Sequence, residues 1–179
     1  AVVVPLLLTS VFHHRVDIAR AVDRPNAVAA RVLGPAALLT PVLLRRLRQS
    51  GATSEDLVVF GAAGSTDPRA LRDVDSSARM LAAAWGAPIP VGHVGGSGTR
   101  VGEIVRAARR SGRRVVVASY LMAPGFFYEQ LAASGADIVT RPLLDGAEVE
   151  PELVSLVLDR FADAAEQLDW ASARVPAQM

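Results

Sequence analysis

At 179 residues and 51% hydrophobic, the chain is long enough to bury a sizeable core and too apolar to be disordered. A net charge of +1 excludes the concentrated basic excess of a nucleic-acid protein, and no apolar run reaches the roughly 18 residues that span a membrane. Cysteine is absent, which excludes disulfides and thiolate ligands and fits a reducing, cytoplasmic setting.

The first element is "AVVVPLLLTS", whose apolar stretch Ala1–Leu8 reads as a buried strand. Neither a basic region nor a small-residue cleavage site precedes it, so no signal peptide is expected here. Because the chain starts at Ala1, already inside a strand pattern, it is expected to be truncated at its front end. "VFHHRVD" (Val11–Asp17) follows, with a helix expected to begin near Phe12. A second helical stretch, "LTPVLLRRL", covers Leu39–Leu47, and Gly51–Ser54 marks a junction. Beyond it, short β-branched runs at Asp56–Ser65, Pro88–Gly96, Arg113–Met122 and Ala136–Leu144 alternate with helical patterns. Those helices are predicted over Pro68–Trp85, Thr99–Arg110, Pro124–Ser134 and Pro151 to about Leu168. Ser65-Thr66-Asp67 before Pro68, and Ser97 or Thr99 before the next helix, supply start signals. Such alternation predicts parallel sheets with helices on both faces.

The chain also repeats itself. "AVVVPLLLTSVF" parallels "RVVVASYLMAPGFF", with Val2–Val4 on Val115–Val117, and "LTPVLLRRL" parallels "LVSLVLDRF", with Leu39 on Leu153, Arg46 on Arg160 and Leu47 on Phe161. Residues 52–168 then form a complete β-α-β-α-β-α-β-α half. Residues 1–51 form only the β-α-β-α back end of a first half, and 169–179 a loosely held tail.

In such folds ligands bind outside the carboxyl ends of strands, where "TSVFHHRVD" falls. With a helix starting near Phe12, His13 and Asp17 share one face and His14 points about a quarter turn away. An imidazole and a carboxylate so placed suit a divalent metal such as Co²⁺, Fe²⁺ or Ni²⁺. Asp17 could instead orient the His13 ring. Spacing by itself fits a polar, solvated helix start better than either.

At these residues the sequence resembles the sirohydrochlorin chelatases of the CbiX type. "VVVPLLLTSVFHHRVDI" is similar to that family's strand-to-helix segment: an apolar strand ending in Pro-Leu-x-Leu, then an aromatic residue, a metal-binding histidine, a basic residue and Asp-Ile. "AAGSTDPRA" (Ala62–Ala70) resembles its opening motif, a histidine followed by Gly-Ser and Asp-Pro-Arg, and "VVVASYLMAPGFF" and "GADIVTRPLL" resemble later strands of its two-halved members. The resemblance covers nearly the whole chain to Leu168 and implies duplicated, Rossmann-like chelatase halves, the first one incomplete. It implies a lyase that inserts cobalt or iron into sirohydrochlorin, for cobalamin or siroheme, without an organic cofactor. His13 and Asp17 take the catalytic places, with His13 and His14 as metal ligands. Sirohydrochlorin bears eight carboxylates, and Arg15, Ser97, Thr99 and Arg100 are expected to meet them. Besides the tetrapyrrole, the expected partners are the missing front segment of the first half and further copies of the chain, with neither nucleic acid nor membrane. Two departures matter. Ala63 stands where the family has its opening histidine, and Tyr128 where the counterpart of His13 is expected. A non-catalytic tetrapyrrole- or metal-binding module is therefore the alternative.

Other signals carry less. All 19 basic residues are arginine, which fits a GC-rich genome, and those at 45, 46, 48, 109, 110, 113 and 114 are expected on solvated faces. Some arginines could instead grip substrate carboxylates with their planar fork, and at least one is then expected beside the cleft. His93 in "VGHVGG" lies within a strand and is expected to be a hydrogen-bonded core or sheet-end histidine. "GGSGTR" (Gly95–Arg100) lacks the lysine of a P-loop and the third glycine of a dinucleotide fingerprint, so it reads as a tight turn able at most to cradle an anion. Trp85 and Trp170 read as helix-end packing.

Overall fold

The computed structural model describes residues 1–9, 12–147 and 149–173, with the backbone alone at 12–15 and 169–173. Two parallel sheets result. The smaller pairs β1 (Val2–Val3) with β2 (Val28–Ala29), and the larger runs in the order β4-β3-β5-β6. Its strands are β3 (Leu57–Ala62), β4 (Val91–His93), β5 (Val115–Tyr120) and β6 (Ile138–Val139). The helices are α1 (Phe12–Ala21), α2 (Leu39–Gln49), α3 (Pro68–Trp85), α4 (Val101–Arg109), α5 (Phe126–Ala132) and α6 (Pro151–Ala173). None of the described helices is long and apolar enough to cross a membrane.

Strand alternation sorts the core into two layers, one on each face of the larger sheet. Val58, Phe60, Ala62, Val116, Ala118 and Tyr120 point into one cluster with side chains of α2, α3 and α6. Val59, Val115 and Val117 point into the other, with Val101, Val105 and Leu131 from α4 and α5. Phe60 and Tyr120 face each other with ring centroids 4.8 Å apart. All six residues of β5 are buried, as a central parallel strand covered on both faces requires.

The ends of α3 fall where its signals put them. The Asp67 carboxylate accepts the Arg69 N–H at 2.8 Å, Pro68 occupies the first turn, and Gly86 closes the helix at φ 85°. Elsewhere the boundaries move. The ladder of the first strand is confined to Val2–Val3, because Pro5 has no N–H to donate and only single bonds continue it, Ala30 N to Val3 O and Leu33 N to Leu7 O. The fourth helix starts at Val101 with Arg100 as its uncapped boundary residue, not at Ser97 or Thr99, since the Thr99 carbonyl is taken by the His93 N–H at 2.9 Å. The last helix passes Leu168 and continues to Ala173.

The two sheets are tied by exchange of helices. The early helix α2 packs on β5 and α3 of the larger sheet, while α6, last in the chain, packs on β1 and β2. Two arginines anchor the exchange. Arg46 of α2 donates to the Leu143 carbonyl beyond β6, at 3.2 Å. Arg160 of α6 donates to the Val32 and Leu33 carbonyls beyond β2, at 3.0 and 3.1 Å. Matching bonds recur in the ladders: Ala30 N to Val3 O beside Thr140 N to Val117 O, and Leu33 N to Leu7 O beside Leu143 N to Leu121 O. In their ladders Val2 and Val3 pair with Val28 and Ala29, as Val116 and Val117 pair with Ile138 and Val139.

Candidate functional site

At the carboxyl ends of β1, β3 and β5 the chain forms a cleft of about 320 Å³. Leu6–Thr9 make one wall, Ala62–Ser65 and the start of α3 another, and Tyr120–Met122 with Phe127 a third. This is the place where open α/β sheets bind ligands. The lining is mainly apolar, with Thr9, Ser65 and Tyr120 as its residues with polar side-chain groups. Ser65 Oγ accepts the Asp67 N–H at 3.0 Å. The Tyr120 hydroxyl accepts from Ser77 Oγ at 3.0 Å and donates to the Leu8 carbonyl at 3.5 Å, tying the segment after β1 to the larger sheet. Burial pushes the Tyr120 phenol up to about 12, so it stays a neutral donor.

The wall at Ala63–Ser65 is held by its neighbour loop. Gly95 N donates to the Ala63 carbonyl at 2.8 Å and Ser97 N to the Ser65 carbonyl at 2.9 Å, continuing the β3–β4 ladder into the turns. Gly64 (φ 91°) and Gly96 (φ 65°) permit this approach, because a Cβ on either would collide with the backbone of the opposite loop. The same bonds use up donors that "GGSGTR" would need to hold an anion. Ser97, Thr99 and Arg100 are exposed and none lines the cleft; Arg100 Nη1 donates to the Val94 carbonyl at 3.3 Å.

His93 is buried at the end of β4 beneath Gly98, as a core or sheet-end histidine should be, but among the described residues its Nδ1 has no hydrogen-bond partner, and burial pushes its pKa below the ordinary value. Of the arginines expected on solvated faces, Arg48, Arg109, Arg110, Arg113 and Arg114 are exposed and Arg45 is half-buried, but Arg46 is not on the surface. It is 5% exposed and lies 3.7 Å from Asp145 and 3.5 Å from Glu150, because carboxylates distant in sequence compensate its burial. Arg114 binds Asp56 through two contacts of 2.8 and 2.7 Å and holds that carboxyl down at about 2. Among the described residues no arginine lines the cleft.

The first helix begins at Phe12, as expected, so His13 and Asp17 are one turn apart on its backbone. Asp17 is exposed. The side chains of His13, His14 and Arg15 lie outside the described residues, as does that of Trp170, so the expected direction of His13 lies outside them too; Trp85 does pack on the core at the end of α3. Near the start of α5, Phe127 lines the cleft, and Tyr128, expected as the counterpart of His13, packs against the second core. Among the described residues no group of three or more His, Cys, Asp or Glu could hold a metal. Sequence reasoning missed Tyr120, although a hydroxyl inside the apolar run "RVVVASYLM" signals a buried partner.

No protein-family model and no curated protein matches the sequence. Among solved structures, SirB from Bacillus subtilis, solved with Fe³⁺, is similar: the TM-score is 0.71 at 20% identity, over 93% of this chain and 72% of SirB. The chain thus has a SirB-like α/β fold of parallel sheets and helices.

Proposed function

We propose that the cleft takes a tetrapyrrole and that the protein inserts a divalent metal, cobalt or iron, into sirohydrochlorin, as a cytoplasmic lyase of cobalamin or siroheme synthesis. The observation that carries this reading is the cleft itself. Its apolar walls suit the face of a flat macrocycle, and the segment forming one of them, Leu6–Thr9, precedes the helix that bears His13. The likeness to SirB, a protein solved with Fe³⁺, supports it. Insertion requires two pyrrole protons to leave as ring nitrogens replace the metal's other ligands. A histidine with an ordinary pKa of about 6.5 can accept such a proton near neutrality and can release a bound ion. His13 would be that group, with Asp17 as its partner, His14 a further ligand, and Arg15, Ser97, Thr99 and Arg100 reaching carboxylates at the macrocycle's edge. The metal is substrate here. In the same reading residues 1–51 and 52–168 are the back end of one half and the whole of another, which accounts for the reciprocal anchoring by Arg46 and Arg160.

A second reading, a module that binds tetrapyrrole or metal without turnover, is favoured by one observation: Ala63, on the cleft wall, offers no imidazole. Titrating sirohydrochlorin with the protein, with and without Co²⁺, separates the two. A spectral change on binding followed by conversion to the cobalt complex supports insertion. Binding without conversion supports the module, and no binding rejects both insertion and a tetrapyrrole-binding module.

A further inference from the structure

Beside β2 lies a second groove, of about 590 Å³, which shares no lining residue with the cleft. Ile18, Ala19 and Val22 of α1 line it together with Ala30, Val32 and Pro35 from the segment after β2. The buried charge in its lining is Arg160 of α6, only 9% exposed. Nε and Nη2 of Arg160 donate to the Val32 and Leu33 carbonyls at 3.0 and 3.1 Å. Nη1 bonds to none of the described residues and, unlike Nε of Arg46, is not sealed from solvent. Among the described residues no carboxylate pairs with Arg160. Asp163, one turn along the same helix, is instead 3.0 Å from Arg31, the other arginine at the groove.

The chain contains its own control, Arg46. It donates from α2 to the Leu143 carbonyl beyond β6, as Arg160 donates from α6 to the Leu33 carbonyl beyond β2. Arg46 is buried as well, yet it has two carboxylates, Asp145 at 3.7 Å and Glu150 at 3.5 Å. The difference is written in the two connections. Residues 140–150, between β6 and α6, supply both carboxylates, whereas residues 30–38, between β2 and α2, contain no Asp or Glu. A guanidinium is costly to bury unless an anion compensates it, and two carbonyls supply dipoles without charge. One arginine therefore has its anions built in, and the other is short of one where a groove meets it.

We propose that this groove binds a small organic monocarboxylate, with its carboxylate on Nη1 of Arg160 and its hydrocarbon part along Ile18, Val22, Ala30 and Val32. The planar guanidinium keeps donors in the geometry a carboxylate fits. Apolar walls with one fixed charge are the usual make-up of a small-molecule site. A multiply charged anion fits less well, because Arg31, the other cation at the groove, is already taken by Asp163.

Sodium hexanoate is the probe, titrated calorimetrically into the full chain. Hexanol supplies the same tail without the charge, and acetate the charge without the tail. Hexanoate should bind with a Kd of about 1 mM or below, and at about ten times its Kd it should raise Tm by roughly 3–5 °C. Hexanol and acetate should each bind about tenfold more weakly or worse, and Arg160→Met should weaken hexanoate by about the same factor. Because Arg160 also holds the Val32 and Leu33 carbonyls, Ala19→Glu is the second variant. It lies at an exposed position of α1, leaves that anchor in place and brings a carboxylate to the groove, so it should weaken hexanoate to a similar extent. No binding up to about 10 mM would overturn the proposal. So would hexanol binding as tightly as hexanoate, or binding that survives either substitution, as it would from the cleft. Neither tetrapyrrole nor metal enters these readouts, so their failure leaves the functional reading as it was.

Discussion

Replacing Tyr120 by phenylalanine removes one oxygen and leaves the ring on Phe60 in place. The hydroxyl is the only atom lost, and its role is to accept from Ser77 and to donate to the Leu8 carbonyl. Ser77 has a second acceptor, the Asp73 carbonyl at 3.1 Å, so its proton can turn there. The Leu8 carbonyl is then left without this donor inside the cleft wall. One modest bond lost, with one carbonyl affected, should cost about 1 kcal/mol, or about 2–4 °C in Tm for a chain of this size. Denaturant unfolding should show a lower midpoint with an unchanged m-value. Ser77→Ala should cost a similar amount, and the double variant less than the sum, with a coupling of about 0.5–1 kcal/mol. Tyr120→Ala, which also empties the ring's place, should cost about 3–5 kcal/mol. A Tyr120→Phe protein as stable as the parent, with strict additivity in the cycle, would refute the bridge between the segment after β1 and the larger sheet.

Arg46→Met should destabilise by about 3 kcal/mol, because Glu150 and Asp145 lose a buried partner; Arg31→Ala, breaking an exposed pair with Asp163, should cost under about 1 kcal/mol in the same denaturation assay. Asp56, held at about 2 by Arg114, contributes stability above its unfolded pKa of about 3.9 that disappears as pH falls toward 2. Between pH 5 and 2, Asp56→Asn should therefore flatten the decline of Tm. Gly64→Ala should cost clearly more than Gly51→Ala, since both have positive φ but only the Gly64 Cβ meets a neighbouring backbone; equal losses in Tm would contradict the account of the two packed turns.

Much of the fold was legible because local signals agree with it. The Asp67-Pro68 start and Gly86 end delimit α3 almost to the residue, and the β-branched run of β5 reads as a central strand. What stayed hidden depends on partners far along the chain. Arg46 looks like a surface charge until Asp145 and Glu150 are brought to it, and the donor to the Leu8 carbonyl lies 112 residues away. Crossing of α2 and α6 between the sheets leaves no mark in either helix's periodicity, since each buries an ordinary apolar stripe whichever sheet it packs on. The rule for open sheets pointed to the strand end before His13, and Leu6–Thr9 there do line the cleft, but the walls Ala62–Ser65 and Tyr120–Met122 were not read from the sequence. Ser97, Thr99 and Arg100 fell outside the cleft, because their loop is tied to the neighbouring turn and its side chains face solvent.

The central claim is tested most directly by the initial rate of cobalt–sirohydrochlorin formation at neutral pH, with the parent chain, with His13→Ala, and without protein. The account predicts a rate above the uncatalysed one that falls on the order of a hundredfold toward it when the imidazole is removed. Equal rates with and without His13 would contradict it.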